Sequence, residues 1–154
     1  MRGFHFRLDP LLALRRHKEQ TFQLQLAESQ RALEEAADRA VALESEIKEL
    51  SARLAEFQGK GTLDLDRLDL ESSYLAILER RLEEQLSLAD QLTQRVAQDR
   101  ESVLQASREK KSLEKLRESL MLAFAREESQ KELKGAEEIA TSRYVRRHRD
   151  QGKD

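Results

Sequence analysis

The stretch from Gly59 to Thr62, GKGT, carries the residue types of a phosphate-binding loop. In such a loop, glycine amides and a lysine hold the phosphates, and a hydroxyl side chain ligates magnesium. The motif requires G-x-x-x-x-G-K-[ST], with the lysine directly before the hydroxyl residue. Here Gly61 separates Lys60 from Thr62, no glycine stands in the upstream position, and no buried strand leads in. The spacing therefore predicts a turn rather than a nucleotide site.

The acidic residues and histidines also lack the spacing that a site requires. The acids that follow the glycines are Asp64, Asp66, Asp69 and Glu71. Leucines alternate with them and the glycine of a calcium loop is missing, so they are typical of an acidic helix start. The histidines are His5, His17 and His148, none with a second ligand at zinc spacing, and the chain has no cysteine. The sequence predicts no metal, no cofactor and no enzymatic activity.

Two basic clusters remain as candidates for binding. The first holds Arg15, Arg16 and Lys18, and the second is the run RYVRRHR at 143–149. They are suited to an acidic protein surface, an anionic membrane or nucleic acid, or they form a solvated tail. Nucleic-acid readers carry an excess of positive charge, whereas the net charge here is −2. This balance favours a protein surface.

The composition predicts that these residues lie on long helices. The 154 residues are 38% hydrophobic and 38% charged, which is too little apolar material for a thick core. Pro10 is the only proline and aromatic residues make up 5%, so long helices are favoured over sheet. No apolar run reaches the roughly 20 residues of a membrane span. The start MRGFHFRLDP lacks a hydrophobic signal region, which predicts a cytosolic chain.

Apolar residues recur in alternating steps of four and three, which is the spacing of a left-handed coiled coil. The first such series, the first seam, is apolar at 12 of 15 positions. Its members are Leu8, Leu12, Arg15, Glu19, Phe22, Leu26, Ser29, Leu33, Ala36, Ala40, Leu43, Ile47, Leu50, Leu54 and Phe57. The second seam is apolar at 12 of 17 positions. Its members are Leu68, Glu71, Leu75, Leu78, Leu82, Gln85, Ala89, Leu92, Val96, Asp99, Val103, Ala106, Lys110, Leu113, Arg117, Leu120 and Phe124.

The glycine pair between the seams predicts an all-α, antiparallel, left-handed coiled-coil hairpin that forms a single domain over 1–154. Helix one is expected at about 8–57, the turn at about 58–63, helix two at about 64–147, and a disordered tail at about 148–154. Gly59 suits the left-handed position that ends a helix, Gly61 completes the turn, and Thr62 or Asp64 caps the next helix. Positions whose numbers sum to 121 or 122 then face each other, which pairs Leu54 with Leu68.

Helix two is longer than helix one in this arrangement. About 30 residues after Leu113 overhang without a partner, and several are apolar, including Leu120, Phe124 and Ile139. They predict either a binding surface or a frayed tail. Most polar seam positions lie far from the turn, so we expect that end to be the less stable one.

The start F-x-F-x-L at Phe4–Leu8, the run LLALRRHKE at 11–19 and the segment SREKKSLEKL at 107–116 resemble the bacterial flagellar export protein FliJ family. The resemblance covers nearly the whole chain. It implies a non-enzymatic part of the flagellar type III protein export apparatus, similar to the γ-subunit stalk of rotary ATPases. It also implies a cytoplasmic protein at the inner membrane, needed for motility and chemotaxis, with indirect or peripheral membrane association.

The resemblance further implies partners and contact residues. The end that bears the termini would dock in the hexameric flagellar export ATPase and promote its assembly, through Arg15, Arg16, Lys18, Arg143, Arg146 and Arg147. The segment 73–85 would contact an export-gate membrane protein, through Tyr74, Leu78, Arg81 and Gln85. Tyr74 is the better of these, because Leu78 is also a seam position. Export chaperones are further expected partners, and nucleic acid is not.

A generic coiled-coil scaffold is the alternative function. In that interpretation the overhang of helix two joins two copies of the chain, and neither an ATPase nor a gate is involved.

Overall fold

A computed structural model describes residues 3–59 and 64–152 of the chain. It contains two helices in close contact, α1 at Asp9–Gly59 and α2 at Leu65–Gln151, and the described residues include no strand. The predicted all-α pair of long helices is thereby confirmed. Contacts divide the chain into a terminal unit, Met1–His17 with Arg108–Asp154, and a middle unit, Lys18–Ser107. The single domain and the left-handed supercoil stay predictions.

In the middle unit, the two seams form the buried interface. Every seam position from Phe22 to Phe57 and from Leu68 to Ala106 is buried or half-buried. Leu50, Leu54 and Leu78 form the core, with Leu43, Ile47, Leu68 and Leu75 packed against it. Burial of one leucine contributes about 1.5–3 kcal/mol, so this cluster is a major source of the unit's stability.

In the terminal unit, the residues before α1 also contact α2. The Phe4 ring lies 5.8 Å from the Phe124 ring, centroid to centroid, and Phe6 is only 2% exposed. Arg117 donates from Nε to Asp9 Oδ1 over 3.2 Å, and its guanidinium lies over the Phe4 ring. α2 overhangs α1 as predicted, but the part of α2 that has a partner is longer than expected, because the N-terminal residues extend along α2 as far as Phe124. Asp9 is the first residue of α1, and we call residues 4–8, which precede it, the N-terminal strap.

The helix ends differ in part from the expected ones. Asp64 accepts a hydrogen bond at Oδ1 from the Arg67 amide over 3.4 Å, as a capping residue does, while Gly61 and Thr62 lie outside the described residues. Gly59 is the last residue of α1 and its φ is not in the left-handed region, so the expected conformation there was wrong. Glycine also adopts helical φ, at a loss of about 0.5–1 kcal/mol relative to alanine.

The disorder expected from residue 148 was also wrong, since α2 continues to Gln151. The His148 ring stacks on Tyr144 with centroids 4.1 Å apart, and its Nδ1 lies 3.3 Å from the Tyr144 carbonyl oxygen. Basic side chains in a last turn also interact favourably with the negative end of the helix dipole. These contacts extend the helix past the predicted end, and residues 153–154 lie outside the described residues.

Candidate interaction surfaces

The described part of the chain, 3–59 and 64–152, holds no group of three acidic, histidine or cysteine side chains that could bind a metal ion. Neither described helix has a stretch apolar and uncharged enough to cross a bilayer. The described residues do present exposed surfaces that could bind another protein.

An exposed apolar stripe lies beside the seam near the start of α2. We define the Tyr74 stripe as Leu70, Tyr74 and Ile77, which are 72%, 42% and 48% exposed. The spacing of four and then three places them on one face of the helix. Sequence inspection identified Tyr74 but missed Leu70 and Ile77. The signal was present, because both lie one step of three or four from Tyr74 and off the seam.

Tyr74 is fixed in place by α1. Its hydroxyl donates a hydrogen bond to Glu46 Oε1 over 2.7 Å. This bond raises the pKa of Tyr74 above its usual 10.0, and partial desolvation and the negative charge of Glu46 add to the rise. Arg81 opposes it by lowering the pKa, so its positive charge acts on the same site. The exposed ring is therefore held in one orientation, with a cation nearby.

The four residues expected to form the gate contact divide into two pairs. Tyr74 and Arg81 are exposed. Leu78 is 1% exposed and belongs to the core, so its expected contact with a partner is incompatible with the closed hairpin. Gln85 is half-buried, and its Oε1 has no hydrogen-bond partner within the described residues. A surface contact can use the first pair without opening the helices.

The first basic cluster is largely engaged within the chain. Arg15 forms an ion pair with Glu109 at 2.5 Å between Nη1 and Oε2, and Arg16 pairs with Glu114 at 3.5 Å. Lys18 lies over the Phe22 ring, with Nζ 5.9 Å from the centroid. Arg15 is therefore a structural seam residue, and the expectation that it faces a partner conflicts with its short ion pair.

The second basic cluster differs. Arg143, Arg146 and Arg147 are exposed on α2, and within residues 3–59 and 64–152 they form no ion pair. The nearest acids along the chain are Asp150 and, five residues before Arg143, Glu138, and neither forms an ion pair with these arginines within the described residues. Their charges are thus available to an acidic partner surface.

The family model for the flagellar FliJ protein matches residues 4–149. The chain belongs to the FliJ family. The matched range includes the N-terminal strap, both helices as far as the second basic cluster, and the Tyr74 stripe. No curated protein sequence and no solved structure shows significant similarity to the chain.

Membership of the FliJ family makes this chain a component of the flagellar protein export machinery. The two exposed surfaces, the Tyr74 stripe and the second basic cluster, both lie on α2. The roles expected for their residues stay predictions, and so do the partners.

Proposed function

We propose that this chain is the central stalk of the flagellar export ATPase. The end that bears the termini docks in the hexameric ATPase ring and promotes its assembly and activity. The chain also contacts the export-gate membrane protein and the export chaperones, at the cytoplasmic face of the inner membrane. It catalyses no reaction itself.

The observation that carries the proposal is that Arg143, Arg146 and Arg147 are exposed and form no ion pair within the described residues. Oppositely charged surfaces accelerate docking and fix its orientation, and an exposed arginine loses little by exchanging water for a carboxylate. Arg15 and Arg16 contribute less directly, because their ion pairs hold α1 to α2 within the terminal unit.

The Tyr74 stripe supports the gate contact. An exposed aromatic ring between two exposed aliphatic side chains is a common anchor for a partner protein. The hydrogen bond to Glu46 orders the ring before binding, which lowers the entropy lost on association. Arg81 adds a positive charge that favours an acidic residue in the partner.

Charge reversal tests the ring contact. Arg146→Glu with Arg147→Glu should reduce stimulation of the ATPase by about tenfold or more, since attraction becomes repulsion. Arg80→Glu with Arg100→Glu changes the net charge equally in the middle unit and serves as the control. ATPase turnover is measured against stalk concentration at low and high salt. Equal loss in both variants, or no loss in either, would contradict the assignment.

The gate contact requires a separate experiment. Tyr74→Ala with Ile77→Ala should leave the helical circular dichroism nearly unchanged and weaken gate binding and swimming motility. Leu86→Ala, at a residue 46% exposed on the same helix but off the stripe, is the matched control. Wild-type motility in the Tyr74 variant would remove the stripe from the proposed function.

A structural scaffold is the second candidate. The exposed apolar side chains late in α2 favour it, since such side chains are available to join copies of the chain. They are Leu116, Leu120, Met121, Leu122, Leu133 and Ile139. A scaffold would leave ATPase turnover unchanged at every concentration tested, whereas a stalk raises it.

A further inference from the structure

The last part of α2 carries charges that are divided by sign along one face. Steps of four and three define this face, which we call the outer face. Its members are Met121, Ala125, Glu128, Glu132, Gly135, Ile139, Ser142, Arg146 and Arg149. All are exposed apart from the half-buried Gly135. Acids occupy the first half and arginines the second, with Arg143 directly beside the latter.

This order is self-complementary when two copies of the face run antiparallel. Centred between Gly135 and Ile139, the pairing places Glu128 of one copy opposite Arg146 of the other. Glu132 comes opposite Ser142, within reach of the neighbouring Arg143. Two-fold symmetry repeats both ion pairs, and Ile139 of each copy lies opposite Gly135 of the other. Heptad spacing on both helices is the geometry that two packed helices require.

Gly135 provides an independent reason for the close approach of a second helix. A glycine inside a helix loses about 0.5–1 kcal/mol relative to alanine. Nothing within the described chain requires it, because a Cβ at this position would meet no atom within 4 Å. Its absent side chain leaves space for Ile139 of a second copy, which is 57% exposed.

Other occupants fit the outer face less well. An anionic membrane or nucleic acid would attract the arginines but repel Glu128 and Glu132. An apolar peptide would bury these carboxylates without a partner. The ion pair between Glu128 and Lys131, 3.5 Å long and exposed, is of a kind that contributes little and can be exchanged.

We propose that the outer faces of two copies of this chain associate as an antiparallel, charge-driven homodimer. The proposal does not rest on the proposed function. The two are nevertheless linked, because Arg143 and Arg146 also belong to the proposed ring contact. One set of arginines cannot serve both surfaces at once, so ring binding separates the two copies.

Sedimentation velocity over a range of protein concentrations, at low and high salt, tests the proposal. The wild-type chain should form dimers at low salt, and high salt should weaken them. Two variants make each outer face uniform in sign. Glu128→Arg with Glu132→Arg creates a basic face, and Arg143→Glu, Arg146→Glu and Arg149→Glu together create an acidic one.

Each variant alone should associate at least about tenfold more weakly than wild type, since every pair becomes repulsive. An equimolar mixture of the two should form a heterodimer, because all pairs are then attractive. Gly135→Leu should also block dimerisation by filling the space at the centre. A wild-type chain that stays monomeric at low salt, or a mixture that forms no heterodimer, would overturn the proposal.

A further variant separates this proposal from ring docking. The charge swap Glu128→Arg with Arg146→Glu keeps the outer face self-complementary, so dimerisation should persist. Docking in a ring needs Arg146 as a cation, so the swap should still weaken ATPase stimulation. A failure of the dimer alone, or of the ring contact alone, is therefore recognisable.

Discussion

Replacement of Gln85 by methionine should stabilise the middle unit. The Gln85 side chain lies in the seam with its Oε1 buried, and that oxygen accepts no hydrogen bond within residues 3–59 and 64–152. A buried acceptor without a partner loses about 1–3 kcal/mol relative to the hydrated state. Methionine has a similar length and a similar helix propensity, and its thioether needs no hydrogen bond.

The expected gain is about 1–2 kcal/mol in the free energy of unfolding, at the lower end of that range because half-burial leaves part of the side chain near water. For a chain of this size, it corresponds to a rise in Tm of about 2–8 °C. Thermal and urea unfolding followed by circular dichroism measure the effect.

Gln94→Met is the matched control. Gln94 is exposed on the same helix, so its replacement should change stability by no more than about 0.5 kcal/mol. A neutral or destabilising Gln85→Met would refute the reasoning, because the buried oxygen would then have no energetic penalty. An equal rise in both variants would assign the gain to helix propensity instead.

Two further predictions concern polar contacts between α1 and α2. The Tyr74 pKa is raised above 10.0, so this group's contribution to stability is present below about pH 10 and is lost as the pH rises through the raised value. Glu46→Ala should return the tyrosinate absorbance titration towards the ordinary pKa and remove that loss; an unchanged titration would contradict the role of Glu46. Arg15→Glu should destabilise the terminal unit by about 1–2 kcal/mol, since the ion pair is only half-exposed, and Glu109→Arg in the same chain should recover part of it. If the double variant loses as much free energy of unfolding as the two single variants lose in sum, Arg15 and Glu109 are not coupled.

Most of the helical interface could be predicted from the sequence, because a single periodicity determines which residues a long helix buries. Every described position of both seams is buried or half-buried except Leu120, which is 45% exposed. Leu120 differs because Phe4 of the N-terminal strap contacts Arg117 and Phe124, on either side of it. The path of a non-helical strap has no periodicity, so the seam pattern could not reveal it.

The candidate contacts were harder to predict, since residue type does not show whether a side chain packs within the chain or is exposed to a partner. Leu78 fits both a seam and a contact motif, and only its burial decides between them. Arg15 and Arg146 likewise belong to similar basic clusters. The first is placed opposite Glu109 by the antiparallel pairing of the helices, and the second has no acid opposite it in the described chain.

Both units combine buried apolar side chains with polar contacts, and the ion pairs of the terminal unit bear on the proposed docking. Leu50, Leu54 and Leu78 are buried in the middle unit, and Phe6 and Leu12 are buried in the terminal unit. In the terminal unit, the Arg15–Glu109 and Arg117–Asp9 pairs keep between 27% and 46% of their side-chain surface exposed. Such pairs contribute little to the free energy of unfolding. The carboxylates or arginines of a charged partner can therefore replace them with little loss of stability. In the docking proposed above, these ion pairs can be exchanged at the terminal end while the buried Phe6 and Leu12 keep that unit folded.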